Sequence, residues 1–164
     1  MKVILHNSIS LNGKIAGKDG NEDFLSEQLW DDVCSIMNRK GCIIWSKKTF
    51  EAVKSWGDDY LDKVKAKIIL VSRKNKNCCG SIEEAISEAR KLGFKEVIIS
   101  GGSNFNKSIW EKKLADELIL NIEPVMLGEG ISWVEEGNFR VKLEFQKMKK
   151  LNANLIQLYY KVMK

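Results

Sequence analysis

One proline and one histidine, Pro124 and His6, stand in the 164 residues. A single proline supplies no proline-rich linker, and a single histidine leaves little from which to build a zinc site. The four cysteines (Cys34, Cys42, Cys78 and Cys79) form no Cys-x-x-Cys pair. Cys78 and Cys79 are adjacent, a poor arrangement for an ordinary structural disulfide. All four therefore read as the reduced thiols of a cytoplasmic chain, with no metal ion expected. No apolar run approaches the ~20 residues needed to span a bilayer. Met1 to Leu5 is too short for a signal peptide, so neither secretion nor a membrane partner is expected. Repeats and low-complexity segments are also missing.

What remains is an ordinary globular composition, 44% hydrophobic and 30% charged, in a length suited to one domain with a proper core. The net charge is +5. Its lysines are scattered, with no zinc finger, basic helix or aromatic–basic interleaving, so no nucleic-acid face is expected. A mild positive field equally suits a small phosphorylated ligand.

The most informative stretch is Glu-Val-Ile-Ile-Ser-Gly-Gly-Ser-Asn-Phe at residues 96–105. A β-branched run stops at Gly101-Gly102, and a helical pattern opens after it. Such a corner presents bare backbone N–H groups at the positive end of a helix dipole, where phosphate binds well. A Cβ at either glycine is expected to keep a pyrophosphate from the main chain.

Apolar periodicity predicts strands at Val3 to Ile9, Cys42 to Trp45, Lys67 to Val71, Val97 to Ser100 and Asp116 to Pro124. Helices are predicted after an N-cap at Ser26, over Lys47 to Val53, after a capping box at Ser81 and Glu84, and over Phe105 to Lys113. Two alternating segments, Arg140 to Lys147 and Leu155 to Val162, read as a hairpin with its turn at Lys149 to Asn154. The order implies an α/β three-layer sandwich: a mostly parallel central sheet, helices on both faces and an antiparallel C-terminal hairpin.

Ligands of open α/β sheets sit at the carboxyl ends of the strands. Four loops leave such ends here. Ser46, Lys47, Lys48 and Thr49 either hold a pyrophosphate or cap a helix with exposed lysines. Ser72, Arg73 and Lys74 either hold the 2′-phosphate of NADP or form a solvated turn. Gly101, Gly102, Ser103, Asn104 and Phe105 form the phosphate corner. The fourth loop, Ser10 to Gly20, either closes over a substrate with Lys14 donating or is a plain turn. Of the acids around the first helix (Glu22, Asp23, Glu27, Asp31 and Asp32), one could donate a proton; the alternative is favourable charge at a helix N-terminus. His6 reads as a packed residue. Among the tryptophans, Trp30 and Trp45 flank the expected cleft.

Ser10-Leu11-Asn12-Gly13-Lys14-Ile15-Ala16, Ser46-Lys47-Lys48-Thr49-Phe50, Leu114 to Leu118 and Pro124 to Gly128 together resemble the motifs of the dihydrofolate reductase-like superfamily. Within it, the chain resembles the C-terminal reductase domain of the bifunctional deaminase–reductases of riboflavin synthesis. The resemblance implies a dihydrofolate reductase-like fold, NADPH as cofactor, hydride transfer to a phosphoribosylamino-pyrimidine or related C=N compound, and a homodimer. It implies phosphate contacts from Lys47, Lys48, Thr49, Ser72, Arg73, Gly102, Ser103 and Asn104. Ser8 and Ile15 would border the nicotinamide, and Gly101–Gly102 would be joined by a cis peptide. On the substrate side the candidates are Lys14, Asn12 and Asn121, together with Asp31. Asn12 and Ser100 depart from the family's usual Asp and Glu, and its Asp-Asp-Pro segment has no clear counterpart. Two alternatives therefore stay open, a dihydrofolate reductase and a non-catalytic NADP-binding relative.

Overall fold

Residues Lys2–Ser10 form β1, and Val3, Ile4 and Leu5 within it are almost wholly buried. A strand with apolar residues on both faces needs cover on both, and the fold supplies it. The computed structural model describes all 164 residues. After β1 come β2 (Lys14–Ala16), α1 (Glu27–Lys40), β3 (Cys42–Ser46), α2 (Lys47–Ser55), α3 (Asp58–Asp62) and β4 (Lys67–Val71). Then follow α4 (Ile82–Lys91), β5 (Glu96–Ser100), α5 (Ser103–Glu111), β6 (Glu117–Glu123), β7 (Ile131–Ser132), β8 (Lys142–Lys150) and β9 (Ile156–Met163).

Seven strands form one sheet in the order β4-β3-β5-β1-β6-β9-β8. The first five run parallel and β9 and β8 are antiparallel, as expected of alternating β-α units ending in a hairpin. One face carries Ile4, Ile43, Ile98 and Ile119 against Cys34, Ile36 and Met37 of α1 and Val53 of α2. The other carries Leu5, Ile44, Ile99 and Leu118 against α4 and α5, through Ile82, Ala85, Ile86, Ala89, Ile109 and Trp110. Burial of each such Ile or Leu contributes ~1.5–3 kcal/mol before the entropy of ordering it.

Local chemistry sets the element ends. Ser26 caps α1, its hydroxyl accepting from the Leu29 N–H, and Gly41 closes the helix in the left-handed region at φ 79°. Ser46 ends β3 and at once caps α2, accepting from Thr49 N–H at 3.0 Å. Ser81 caps α4 as its capping-box sequence predicts, although Glu84 accepts from the Gly80 N–H at 2.6 Å, one residue further back than the motif requires.

Several details differ from the sequence reading, among them the short helix α3, which it did not predict. α5 starts at Ser103, two residues early, because Gly102 is its N-cap. The Ser10 to Gly20 loop contains β2, which pairs with β7; strands of three and two residues leave no readable period. All peptide bonds are trans, including Gly101–Gly102, which avoids the ~3–4 kcal/mol cost of a non-proline cis bond. No helix is long and apolar enough to cross a membrane.

Candidate functional site

A cleft of about 1360 Å³ opens at the carboxyl ends of β1, β3, β4 and β5. Because these strands are parallel, the loops that follow β3, β4 and β5 all come to it. Ser46, Lys47, Lys48 and Thr49 arrive from the β3–α2 corner, Ser72 and Arg73 from the tip of β4, and Gly101 to Phe105 from the β5–α5 corner. Ser8 and Ile15 line it from β1 and β2.

The β5–α5 corner is built to meet an anion. Gly102 caps α5 with no side-chain hydrogen bond, so the first-turn amides face no internal acceptor. The two glycines serve different ends. A Cβ on Gly102 would meet no protein atom within 4 Å, whereas one on Gly101 would lie 2.3 Å from Cδ1 of Phe105. Gly102 thus keeps the cleft open, while Gly101 is required by the protein's own packing. At Gly101 the packing supplies a reason for glycine that the sequence reading did not give. The Ser103 hydroxyl is buried without a partner. At the β3–α2 corner the Ser46 and Thr49 hydroxyls lie 2.8 Å apart, and Lys47 Nζ stands 3.5 Å from Glu51. Arg73 and Lys48 form no salt bridge.

The cleft continues between α1 and α2, where Trp30, Val33, Met37, Val53, Trp56 and Tyr60 line it. Trp30 meets Trp56 edge to face, with centroids 5.5 Å apart, and both lie within 6.0 Å of Tyr60. The Trp30 Nε1–H is buried without an acceptor. Trp45 lines the cleft from β3, as expected of a flanking tryptophan. Glu22 also lines the cleft; its side chain has no hydrogen-bonded partner, and burial raises its carboxyl to about 7.

Two polar residues of β1 stand at the centre: Asn7, unnoticed in the sequence, and His6, read there as a packed residue and found buried. Asn7 of β1 donates to Gly101 O at 3.3 Å, and its buried Oδ1 has no partner. His6 is buried and held near pH 4 chiefly by desolvation. Behind it runs a polar chain. Asn121 Nδ2 lies 3.0 Å from both His6 Nε2 and the Ser8 hydroxyl. Gln157 Nε2 donates to Asn121 Oδ1 and Asp32 Oδ2, each at 2.7 Å, and Gln157 Oε1 accepts from the Tyr159 hydroxyl. Polar residues inside otherwise apolar central strands were the available signal, but the partners of Asn7 and His6 lie 94 and 115 residues away.

The substrate-side candidates do not line the cleft, and neither does Lys74. Asn121 is wholly buried and acts behind Ser8 and His6. Asn12 latches the β1–β2 loop: its Nδ2 donates to Leu127 O at 2.7 Å and its Oδ1 accepts from Leu127 N and the Ser10 hydroxyl. Lys14 Nζ reaches the Ser132 hydroxyl at 3.4 Å. Asp31 pairs at the surface with Lys63 at 2.7 Å. Lys74 gives its N–H to the Ser72 hydroxyl at 3.3 Å and is itself exposed.

Comparison with known proteins places this geometry. The RibD C-terminal domain family matches residues 1–156. The Bacillus subtilis protein YyaP, uncharacterized, is 24% identical over 179 residues, spanning 97% of this chain and 94% of its own. A putative riboflavin biosynthesis protein from Shewanella sp. PV-4 superposes with a TM-score of 0.82 at 20% identity over all of both chains. Acinetobacter baumannii RibD gives 0.76 at 16% identity, covering 99% of this chain and 58% of that one. The Saccharomyces cerevisiae riboflavin biosynthesis reductase Rib7 gives 0.66 at 14% identity, covering 99% and 90%. At these identities the structural likeness establishes the fold.

Proposed function

The chain belongs to the RibD C-terminal domain family, and from that premise we propose that it is an NADPH-dependent reductase. Its reaction would be hydride transfer to the carbon of a C=N bond, or of an opened sugar, in a small heterocyclic substrate. The observation that supports this is the convergence of three loop corners on one cleft, with uncapped α5 amides beside an unpaired Arg73.

NADPH, when bound, supplies the hydride. The protein's part is placement and charge. First-turn amides of α5, the Ser103 hydroxyl and the Ser46–Thr49 corner would take the pyrophosphate, with Lys47 and Lys48 nearby. Arg73 and the Ser72 hydroxyl would take the 2′-phosphate. Asn7 Oδ1, buried and without a donor, is an acceptor for an amide N–H such as that of nicotinamide. Ser8 and Ile15 would border that ring, with Ser8 held from behind by Asn121. Lys14, Asn12 and Asp31 keep no part in this reading, because each is engaged away from the cleft. The proposal also includes one reductase domain over residues 1–164, a cytoplasmic location and a homodimer. The dimer is supported by the open edge strand β8, on which Leu143, Phe145 and Met148 are exposed; sedimentation of a monomer at micromolar concentration would remove that part.

Titration of cofactor fluorescence tests the reading. Charge-assisted hydrogen bonds contribute ~1.5–3 kcal/mol each, so NADPH should bind at least about tenfold tighter than NADH. Arg73→Ala should abolish the difference. Equal affinities in the wild type would overturn the assignment. Turnover of dihydrofolate but not of 5-amino-6-(5-phosphoribosylamino)uracil would replace the riboflavin-type reaction with the dihydrofolate reductase one. Tight NADPH binding with no oxidation by any acceptor would leave the non-catalytic relative.

A further inference from the structure

One line of hydrogen bonds runs from α1 across β9 and β6 to β1. Asp32 of α1 accepts from Gln157 Nε2 at 2.7 Å, and the same nitrogen donates to Asn121 Oδ1 at 2.7 Å. Asn121 Nδ2 then lies 3.0 Å from both His6 Nε2 and Ser8 Oγ. Gln157 and Asn121 have no exposed surface. Of these residues only His6 and Ser8 line the cleft.

Each link has one sense. A carboxylate oxygen accepts and cannot donate, so Asp32 turns the amide nitrogen of Gln157 toward itself. Both protons of that nitrogen are then used, one on Asp32 and one on Asn121 Oδ1. With its oxygen so engaged, Asn121 faces β1 with its nitrogen and donates to His6 Nε2 and Ser8 Oγ. His6 Nε2 accepts only through its lone pair, which places the ring proton on Nδ1. Desolvation lowers this imidazole to about 4, so it is neutral at pH 7. Ser8 Oγ receives a proton from behind, and its own O–H has no acceptor in the protein. That proton is left for a ligand in the cleft.

We propose that Asp32 is a positioning residue: through Gln157 and Asn121 it sets the Ser8 hydroxyl as a hydrogen-bond donor to the carboxamide oxygen of the nicotinamide. Asp32 itself does not line the cleft. The ligand group rests on the reductase reading above, in which Ser8 borders that ring; the sense of the relay does not depend on it. A donor fixed beforehand needs no reorientation when its acceptor arrives. It also selects, because a ligand without an acceptor there leaves the Ser8 proton unpaired.

An isosteric reversal tests this. Asp32→Asn combined with Gln157→Glu keeps the net charge, the shapes and the bonded pairs. Position 32 then donates, position 157 accepts from both sides, and Asn121 must turn its oxygen toward His6 and Ser8. The chain has one histidine, so ¹⁵N spectra of the labelled protein at pH 7.5 report its tautomer without overlap. The wild type should carry the proton on Nδ1, and the double variant should carry it on Nε2. An Nε2–H tautomer in the wild type, or an unchanged tautomer in the double variant, overturns the relay. Titrations with cofactor test the ligand. NADP⁺ should bind at least about fivefold tighter than its thionicotinamide analogue, whose sulfur is a weak acceptor. The double variant should lose that preference. Ser8→Ala should lose it too, while keeping the wild-type tautomer. A preference absent from the wild type, or kept in either variant, overturns the assignment to the carboxamide. Failure of the wild type to bind NADP⁺ overturns the reductase reading instead, and the tautomer still decides the relay. Thermal melting shows whether the double variant is folded. If it is not, the wild-type tautomer and Ser8→Ala decide.

Discussion

Burial disfavours the charged form of both Glu22 and His6, making the carboxyl less acidic and the imidazole less basic. Their effects on stability run in opposite directions. For Glu22 the folded value is raised from 4.5 to about 7, so the folded state binds the extra proton between those limits. Its contribution is full below about pH 4.5 and is lost as pH rises through about 7. Glu22→Gln should therefore gain stability relative to the wild type across that window, with a constant difference above it, in urea titrations at each pH. A difference that stays flat from acid to neutral pH would show that the carboxyl is solvated. Asn121 raises a different question of satisfaction. Truncation to Ala removes the partner of His6 Nε2 and of the Ser8 hydroxyl, and one of the two acceptors of Gln157 Nε2, at once. Unmade hydrogen bonds of buried groups cost ~1–3 kcal/mol each, so Asn121→Ala should lose at least ~2 kcal/mol by chemical denaturation. It should lose cofactor affinity as well, because Ser8 is left without its support.

Among the elements, the β5–α5 corner separates packing from ligand space. Gly101→Ala drives a Cβ into the Phe105 ring, whose Cδ1 is 2.3 Å away. Overpacking of this kind typically costs ~1–3 kcal/mol, and the variant should melt lower. Gly102→Ala meets no protein atom, and its φ of −75° is open to any residue. It should fold with nearly wild-type stability and bind NADPH at least about tenfold more weakly. Similar melting losses in both variants would refute the distinction. The corner was visible in the sequence as a β-branched run stopping at two glycines. Which glycine serves the fold was not, since Phe105 reaches back one helical turn onto Gly101. The caps at Ser26, Ser46 and Ser81 were legible because they act within three residues. β2, β7 and the latch between Asn12 and Leu127 depend on partners over a hundred residues distant, and no local period announces them.

Across the whole molecule, a net charge of +5 and four cations lining the cleft would attract a polyanion such as the proposed NADPH. NADPH association measured by stopped flow should slow several-fold between about 0.05 and 0.5 M salt, where the Debye length falls from ~14 to ~4 Å. Dissociation, set by short-range contacts, should change less. A salt-independent association rate would mean that the cations are neutralised by their neighbours. The alternation of apolar runs determined by itself the parallel sheet, its covering helices and the closing hairpin, because hydrophobic period and capping are local properties of the chain. The same order placed the loops after β3, β4 and β5 together, since parallel strands all end on one side. Only the tertiary structure decided which polar residues face the cleft. Asn12, Lys14 and Asp31 found partners elsewhere, while Asn7, Glu22, Trp56 and Tyr60 were brought to it. Side-chain direction and long-range pairing depend on packing across the sheet, and a single strand of sequence does not carry that information.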